Sequence, residues 1–262
     1  FKATSIASGS ATDYYLYYGD PNLTKPPVWD TYGSENVWNS TDKVVYHFEQ
    51  LPNGTAPQIL DSTTNDRDAT SEGSMSLSAL ENGKIGKALH FDGSDDRLTY
   101  ASSTAPVDQL AALTVSAWVK QDVPGVTSII TSYGQYSGGY DWAYLFDVTN
   151  TGGAEIAVFK STTLNDGTVG SGVSSGAWNH VVGSWDGTGN FKVYTNGNLT
   201  SSYTNAAINS MTNSSHDTLY VGDYQNTFGH LYFDGLIDEL RISAASTTNA
   251  RVASEYVNQS SP

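Results

Sequence analysis

Residues 178–199, WNHVVGSWDGTGNFKVYTNGNL, decide the fold class. Apolar and polar residues alternate in the runs 178–185 and 191–196, and this period-two alternation is typical of strands with one buried face. Asn196-Gly197 follows the second run, and both residues tolerate the positive φ that a type I′ hairpin turn requires. The segment therefore predicts antiparallel strands joined by tight turns.

The same alternation recurs along the chain in short runs bounded by Gly, Asn, Asp and Ser. The further candidate strands lie at residues 13–18, 43–49, 87–91, 97–101, 113–120, 127–132, 142–148, 154–160, 218–223 and 235–243. Only residues 247–257 have the pattern of a helix, with Ser246 or Thr247 as its N-cap. This succession of short strands predicts an all-β sandwich with one short C-terminal helix.

Composition excludes several classes of function. The chain has 262 residues, a net charge of −15 and no cysteine. The acidic balance argues against sequence-independent binding of nucleic acid, which needs clustered Lys and Arg. Without cysteine there is no disulfide framework and no zinc–thiolate site. No apolar run approaches the roughly 18–20 residues of a membrane-spanning helix, so we expect no membrane insertion.

The chain divides near residue 35. Residues 1–35 hold a Tyr-rich strand at 13–18 and a linker with the pair Pro26-Pro27, and residues 36–262 have the size of one domain. Because a single strand is not stable alone, 13–18 must pair with the main domain, with sequence upstream, or with another molecule. The last alternative predicts self-association through this strand.

Four motifs occur in the order found in one known family. They are ENGKIGKALHFDGSDDRLTY (81–100), LTVSAWVK (113–120), the deciding segment 178–199, and FDGLIDELRIS (233–243). Together they resemble the laminin-G-like, concanavalin A-like jelly-roll family over residues 43–257. The resemblance implies two stacked antiparallel sheets, a secreted or cell-surface setting, a binding or structural role, and often a structural calcium ion. Residues 1–30 resemble the tail of a domain of unknown function from archaeal and bacterial surface proteins.

The last predicted strand carries a candidate calcium ligand. Alternation in 235–243 places Asp238 on the same face as Leu240 and Ile242, and a buried carboxylate without a partner is unfavourable. Calcium would compensate for this, since it binds hard oxygen ligands. The alternatives are a salt bridge to Lys or Arg, and a carboxylate held by backbone N–H groups.

The family resemblance implies that the first and last strands of the domain lie together with a metal joining them. Glu49, at the end of the first strand, is then the matching ligand, and Asp61 or Asp66 in the following loop adds another. We therefore predict a Ca²⁺ site formed by Glu49, Asp61 and Asp238. The acidic run FDGSDD (91–96) has two interpretations, a second metal site or a turn, and its Asp92-Gly93 dipeptide favours the turn.

A Tyr-rich segment, SYGQYSGGYDWAY (132–144), is the candidate ligand site. Its glycines suggest a loop that projects aromatic rings, and exposed rings are a common platform for sugars. The candidate residues are Tyr136, Tyr140, Asp141 and Trp142, with Gln135 as a further hydrogen-bonding group. In the alternative interpretation, Trp142, Tyr144 and Phe146 alternate as the start of a core-facing strand. The segment 223–232, which contains His230, presents the same two alternatives.

Six N-x-S/T sequons are candidate glycosylation sites. They stand at Asn22, Asn39, Asn53, Asn198, Asn213 and Asn258. A chain so rich in Asn, Ser and Thr also produces such sequons by chance, so the two explanations stay open. If the source glycosylates the protein, the acceptors would lie in surface loops.

The sequence contains no motif of a known catalytic site. It has no E-x-D-x-E strand of the glucanase type, no G-x-S-x-G and no H-E-x-x-H. We therefore predict that the protein is not an enzyme. It is instead a non-catalytic extracellular binding or adhesion module whose partner is a glycan or a cell-surface protein. Two alternatives remain, a structural subunit of an extracellular assembly joined by β-strand addition, and a glycoside hydrolase with an unrecognised site.

Overall fold

The computed structural model describes residues 27, 30, 33–55, 58–101, 107–136, 140–212, 214, 217–226 and 229–261, of which 136, 140, 225 and 226 are described by their backbone alone. The predicted strand 13–18 and the resemblance of residues 1–30 lie outside this range, and both stay predictions.

Short strands and tight turns account for nearly all of the described chain. The strands are β1 (Asp42–Tyr46), β2 (Thr70–Glu72), β3 (Leu80–Asn82), β4 (Lys87–Asp92), β5 (Arg97–Ala101), β6 (Leu113–Gln121), β7 (Ser128–Tyr136), β8 (Tyr140–Val148), β9 (Ala154–Phe159), β10 (Asn165–Val169), β11 (Asn179–Trp185), β12 (Asn190–Thr195), β13 (Asn198–Thr204), β14 (Thr218–Val221), β15 (Gln225–Asn226) and β16 (Asp234–Ser243). Two 3-10 helices (Ser34–Val37 and Leu77–Ala79) and one α-helix, α1 (Asn249–Ser260), complete the described elements.

The strands form two sheets. Sheet 1 has the order β13-β12-β11-β6-β16-β4-β3, with β1 also paired to β16, and sheet 2 has the order β10-β9-β8-β7-β14-β5-β2. Apart from the short parallel pair of β15 with β7, the strand pairs described are antiparallel. The predicted two-sheet sandwich, consistent with a jelly roll, is therefore confirmed.

One hydrophobic core lies between the two sheets. Tyr144, Phe146 and Phe191 are 0 % exposed there. The sheets approach so closely at Gly183 that a Cβ atom would lie 2.7 Å from Ile156 and 2.8 Å from the ring of Phe146. We call the opposite surface of each sheet, which is turned away from this core, its outer face.

The local signals at the end of the chain are largely confirmed. Asn196 and Gly197 have φ values of 51° and 79° and join β12 to β13, as the hairpin signal predicts. Helix α1 is present, but its N-cap is Thr248, whose side chain accepts a hydrogen bond from the backbone N–H of Arg251. No helix among the described residues is long and apolar enough to cross a membrane.

A β-bulge in β16 changes which of its residues face the core. The pairing of β16 with β6 shifts register between Asp238 and Arg241, and Glu239 within the bulge has a φ of 50°. A bulge adds one residue to a strand and so interrupts the alternation of faces. Ile237 and Leu240, three positions apart, therefore both face the core.

The placement of Asp238 on the core side was wrong. Asp238 pairs directly with Trp118 of β6, which lies outside the core cluster, whereas Leu240 and Ile242 belong to that cluster. Asp238 thus lies on the outer face of sheet 1. It is nevertheless 0 % exposed, because the turn between β3 and β4 packs against it.

Helix α1 covers part of the outer face of sheet 1. The ring of Tyr256 stacks on Trp118 with centroids 5.7 Å apart, and the Trp118 indole N–H donates to Gln259 Oε1 at 2.7 Å. Val252 of the helix forms a second, smaller hydrophobic cluster with Val182 and Tyr194. The part of this face around Trp118, Val182 and Tyr194 is therefore covered by the chain itself.

Candidate functional site

The predicted calcium ligands Glu49 and Asp238 lie against the same turn, residues 83–86 between β3 and β4. Asp238 Oδ2 accepts a hydrogen bond from the backbone N–H of Ile85 at 2.9 Å, and a Cβ atom at Gly83 would lie 2.6 Å from that oxygen. Glu49 Oε1 lies against Gly86 and accepts from the backbone N–H of Lys87 at 3.3 Å. The structure thus brings these two carboxylates to one turn.

Asp238 is an electrostatically unfavourable group as it stands. Burial raises its pKa to about 7, and the charge of Glu239 adds to this effect. Its Oδ1 atom is buried without a hydrogen-bond partner in the described part of the chain. Backbone N–H groups of Ile85, Glu239 and Lys84 act against this rise in pKa, so the backbone-held carboxylate, one of the alternatives from sequence, is present in the structure. Glu49 and Asp238 are therefore the candidate cation ligands at this turn.

Asp61 belongs to a different place. Its two carboxylate oxygens accept hydrogen bonds from Val45 N (2.9 Å), Thr63 N (3.0 Å), Thr63 Oγ1 (2.8 Å) and Arg67 N (3.1 Å). These donors tie the loop after β1 back to that strand. Among the described residues, Glu49, Asp61 and Asp238 do not form a group of three ligand atoms close enough to share one ion.

A groove of about 590 Å³ lies next to Asp61. Its lining includes Glu35, Trp38, His47, Asp66 and Asp68. One face of the Trp38 ring is occupied, since the Arg241 guanidinium lies 5.2 Å from the ring centroid. The groove is acidic, but it does not include Glu49 or Asp238.

The Tyr-rich segment is a hairpin rather than a projecting loop. Residues 132–136 and 140–144 belong to β7 and β8, and residues 137–139 lie outside the described chain. Tyr136 and Tyr140 pair through their backbones, as do Gln135 and Asp141. The backbone carbonyl of Asp141 accepts a hydrogen bond from Ser214 Oγ at 2.7 Å.

Trp142 is not an exposed platform. The residue is 3 % exposed, and its ring packs on Tyr224 and Phe159 with centroid distances of 5.1 and 5.6 Å. Tyr144 and Phe146 face the core, as the alternative interpretation predicts. A register shift after Tyr133 separates Trp142 from them, so only part of the alternation continues.

The outer face of sheet 2 carries a network of charged side chains. Asp223 is 0 % exposed, and its Oδ2 lies 3.1 Å from Arg97 Nη1 and 2.9 Å from His230 Nδ1. Arg97 also pairs with Glu72 at 2.6 Å, and Glu72 accepts a hydrogen bond from Thr99 Oγ1 at 2.8 Å. We call Glu72, Arg97, Asp223 and His230 the Arg97 network.

Aromatic rings border the Arg97 network. The rings of His230 and Tyr232 stack with centroids 4.8 Å apart and planes inclined by 11°. The Arg97 guanidinium lies 5.8 Å from the centroid of the Tyr220 ring. Burial raises the pKa of Asp223 although His230 and Arg97 act against it, and Asp223 Oδ1 has no hydrogen-bond partner within the described range.

A second pair of acids lies on the same outer face. Asp147 of β8 pairs in register with Glu155 of β9, and the core positions of Phe146 and Val148 direct Asp147 outward. Asp147 is 7 % exposed, and burial raises its pKa well above the usual range, with the charge of Glu155 contributing. Burial also raises the pKa of Glu155.

Comparison with known proteins defines the family. Residues 92–253 match the family model described as the concanavalin A-like lectin/glucanases superfamily, of laminin G type. The chain belongs to this superfamily. The matched range begins at the end of β4 and reaches into helix α1. The family predicted from the four sequence motifs is therefore confirmed.

Solved structures of the same concanavalin A-like fold include toxin and arabinanase domains. The receptor-binding domain of botulinum neurotoxin C/D mosaic serotype matches with a TM-score of 0.60 and 13 % identity over 84 % of this chain and 51 % of that chain. Domain 4 of AbnA, an extracellular arabinanase from Geobacillus stearothermophilus, matches with a TM-score of 0.60 and 22 % identity over 82 % of this chain and 97 % of that chain. This chain thus spans about half the length of the matched toxin binding domain. At these identities the likeness concerns the fold. A comparison with curated protein sequences gave no significant match.

The concanavalin A-like fold assembles the Arg97 network from distant parts of the sequence. Glu72, Arg97 and Asp223 lie on three different elements, and only strand pairing brings them together. Sequence analysis pointed to this place only through the aromatic segment 223–232, which contains His230. Glu155 is an isolated acid in the sequence, and nothing in the sequence indicated its pairing with Asp147.

Four of the six sequon asparagines are described, two of them in loops as expected, whereas Asn198 lies in β13 and Asn258 in α1. Asn39, Asn53, Asn198 and Asn258 are exposed, and Asn22 and Asn213 lie outside the described residues. Exposure is necessary for glycosylation but does not demonstrate it, so these sites stay predictions.

Proposed function

We propose that this chain is a non-catalytic glycan-binding module of a secreted or cell-surface protein, with its binding surface on the outer face of sheet 2. The Arg97 network with Tyr232 beside it carries the proposal. Helix α1 covers part of the outer face of sheet 1, whereas the outer face of sheet 2 presents charged and aromatic side chains together.

The chemistry of this surface suits a sugar. A pyranose or furanose ring has an apolar C–H face that packs on aromatic rings, and its hydroxyls pair with charged groups that other contacts hold in place. Arg97 is held by Glu72 and Asp223, so its guanidinium loses little freedom when it binds.

The matched structures support the same class of ligand. Domain 4 of AbnA was solved in complex with arabinotriose, and one botulinum neurotoxin type C structure concerns interaction with two ganglioside molecules. Another toxin binding domain was solved with rat synaptotagmin II, which supports a cell-surface protein as the alternative partner. We infer a glycan for this chain because its candidate surface combines stacked rings with fixed charges.

Catalysis is not part of the proposal. Glycoside hydrolysis needs two carboxyl groups about 5–5.5 Å or 6.5–9.5 Å apart, both in contact with the substrate. Asp147 and Glu155 are neighbours on the outer face of sheet 2, but Asp147 is 7 % exposed. A substrate would not reach this carboxyl without a rearrangement of the surface.

A structural calcium ion at Glu49 and Asp238 completes the proposal. The ion would neutralise the buried Asp238 and link β16 to the turn 83–86, and its contribution would be stability. Binding to the folded state alone adds about 2.7 kcal/mol when the ion exceeds its Kd a hundredfold. Chelation should lower the Tm of the wild-type protein, and Asp238→Asn should remove that response. An equal loss of Tm in both proteins would contradict this assignment.

The glycan proposal is tested by array screening followed by calorimetry. An array with arabino-oligosaccharides and ganglioside oligosaccharides identifies ligands for the wild-type protein. Tyr232→Ala and His230→Ala should then each lower the affinity for the best ligand at least tenfold, since each removes one of the two stacked rings. Tyr203→Ala is the matched control, because Tyr203 is 42 % exposed on β13 of the other sheet. Unchanged affinity in folded Tyr232→Ala and His230→Ala would refute the proposed surface.

A further inference from the structure

The turn between β4 and β5 is built by its own aspartates. Asp92 Oδ1 accepts hydrogen bonds from the backbone N–H groups of Ser94 (2.9 Å) and Asp95 (3.2 Å), and Gly93 has a φ of 71°. Asp96 Oδ2 accepts from the backbone N–H of Asp92 at 3.3 Å. The turn predicted for residues 91–96 is therefore confirmed, and it accounts for one oxygen of Asp92 and one of Asp96.

The three carboxylates of this turn come close to one another. Carboxylate oxygens of Asp92, Asp95 and Asp96 lie within 4.8 Å of one another. Asp92 and Asp95 are exposed, but Asp96 is only 5 % exposed. The Oδ1 atom of Asp96 is buried and has no hydrogen-bond partner among the residues that the structure describes.

A backbone oxygen lies at the same place. A Cβ atom at Gly73 would lie 2.5 Å from the carbonyl oxygen of Asp95 and 2.9 Å from Asp96 Oδ1. Both oxygens therefore lie close to the Cα atom of Gly73, where any other residue would displace them. The absence of a side chain at Gly73 keeps this pair of oxygens together.

In the described chain, the charge of His90 compensates for part of the charge of Asp92, whose pKa is lowered by backbone hydrogen bonds and by His90 against the effect of burial. No Lys, Arg or His there forms an ion pair with Asp92, Asp95 or Asp96. The pKa of Asp96 is raised by burial and by the charge of Asp92. A buried carboxylate in this setting is costly unless it binds a proton or a cation.

We propose that Asp92, Asp95 and Asp96 bind a calcium ion, with Asp96 Oδ1 as the buried ligand. Calcium takes six to eight oxygen ligands at about 2.3–2.6 Å in flexible geometry, so three carboxylates, a carbonyl and water can satisfy it. Mg²⁺ is less suited, because it requires a near-ideal octahedron and releases its water reluctantly. The site does not depend on the glycan proposal.

The surroundings favour a cation further. Asp234 of β16 lies against the same turn, since a Cβ atom at Gly93 would be 3.0 Å from its Oδ2. Asp234 in turn groups with His90 and Asp122, whose side chains pair at 3.0 Å. These neighbouring carboxylates increase the negative potential at this end of the sandwich and so the local concentration of cations.

Calcium titration of the whole chain by calorimetry, with Tb³⁺ luminescence as a second measurement, tests the proposal. The wild-type protein should bind two ions, one at this turn and one at Glu49 and Asp238. Asp96→Asn and Asp95→Asn should each weaken calcium binding at this turn at least tenfold and leave binding at Glu49 and Asp238 unchanged. The exposed Asp95 provides the second variant in case Asp96→Asn folds poorly.

The double variant Glu49→Gln/Asp238→Asn separates the two assignments. If it still binds one ion, and that ion is lost on adding Asp95→Asn, the turn is a calcium site whether or not the other site exists. Asp186→Asn, in the exposed β11–β12 turn, is the matched control and should change neither site. Calcium binding that is unchanged in both Asp95→Asn and Asp96→Asn, or the absence of calcium binding in the wild-type protein, would overturn the proposal.

Discussion

Two buried carboxylates, one on each outer face, show how the two sheets differ. Glu239 on sheet 1 is 5 % exposed, and its oxygens pair with His47 at 2.6 Å and with Arg241 at 2.7 Å. Asp223 on sheet 2 is 0 % exposed, and its ion pairs with Arg97 and His230 use the same oxygen. Its other oxygen has no hydrogen-bond partner within the described chain.

The pKa values follow this difference. The pKa of Glu239 is lowered, because the hydrogen bond and charge of His47, together with Arg241, outweigh the effect of burial. The pKa of Asp223 is raised, because burial outweighs His230 and Arg97. The fold thus satisfies the charge of Glu239 by itself, whereas the charge of Asp223 is satisfied only in part. An incomplete network on an open face is where a ligand has most to contribute.

Removing the cation on sheet 1 should have the largest effect. Arg241 joins Glu239 to Glu255 of helix α1, so Arg241→Ala breaks two ion pairs, leaves the buried Glu239 with His47 as its remaining described partner, and loosens the helix. We expect a loss of about 3–5 kcal/mol in the free energy of unfolding, the range for breaking a buried ion pair. Urea titration measures this loss.

The control for this prediction lies on the same helix. Arg251 is exposed, and Arg251→Ala should change stability by no more than about 0.5 kcal/mol. Glycan affinity should be unchanged in Arg241→Ala at temperatures where the variant is folded. A large loss of affinity there would mean that the two faces are not separate in function.

Removing the cation on sheet 2 should have a smaller effect on stability and a larger one on binding. Arg97→Ala removes charged hydrogen bonds to Asp223 and Glu72, but His230 still pairs with Asp223, and Glu72 is 40 % exposed. We expect a loss of about 2–3 kcal/mol in the free energy of unfolding, since hydrogen bonds to charged groups contribute about 1.5–3 kcal/mol. Glycan binding should fall at least tenfold by calorimetry.

A second substitution sharpens this prediction. Asp223→Asn added to Arg97→Ala removes the uncompensated buried charge, so the double variant should be more stable than Arg97→Ala alone while binding stays weak. The two residues are not coupled if the double variant loses as much unfolding free energy as Arg97→Ala and Asp223→Asn lose together. In that case the network is not as described.

Sequence alone predicted the repeating parts of this molecule. Strands such as β5 and β12, the Asn196-Gly197 hairpin and helix α1 follow from local alternation and turn chemistry, which act over a few residues. The sandwich and its family follow from the order of these segments. Such features depend on neighbours in sequence, so one chain is sufficient to identify them.

The predictions that were wrong concern single residues at which the alternation of strand faces is interrupted. The bulge at Glu239 moved Asp238 to the other face of β16, and no local signal separates a bulge from a regular strand there. The Trp142 ring is buried because Tyr224, from a segment far along the chain, stacks on it. Contacts of this kind, like that of Arg97 with Asp223, exist only after the strands have paired.

The smallest expected effect concerns the pH dependence of stability on sheet 2. The folded-state pKa of Asp147 is raised by burial, so the folded protein holds this proton more tightly than the unfolded chain does. Ionisation of the buried Asp147 carboxyl therefore lowers the stability of the folded protein. This loss of stability is absent below the unfolded pKa of about 3.9 and grows as pH rises from there to the folded pKa. Asp147→Asn should be more stable than wild type at pH 7, on the order of 1 kcal/mol, because one pKa unit corresponds to about 1.4 kcal/mol.

The decisive measurement is the difference in unfolding free energy between Asp147→Asn and wild type at pH 4, 5.5 and 7 in urea. That difference should grow with pH. Asp186 provides the opposite case, because hydrogen bonds from Asn190 and Thr188 lower its pKa to about 2. Its contribution to stability is present above the unfolded pKa and is lost as pH falls toward 2, so Asp186→Asn should be destabilising at pH 7 and nearly neutral at pH 2. If Asp147→Asn instead follows the pH dependence of Asp186→Asn, the Asp147 carboxyl is stabilised in its charged form, and the contrast between the two outer faces does not extend to it.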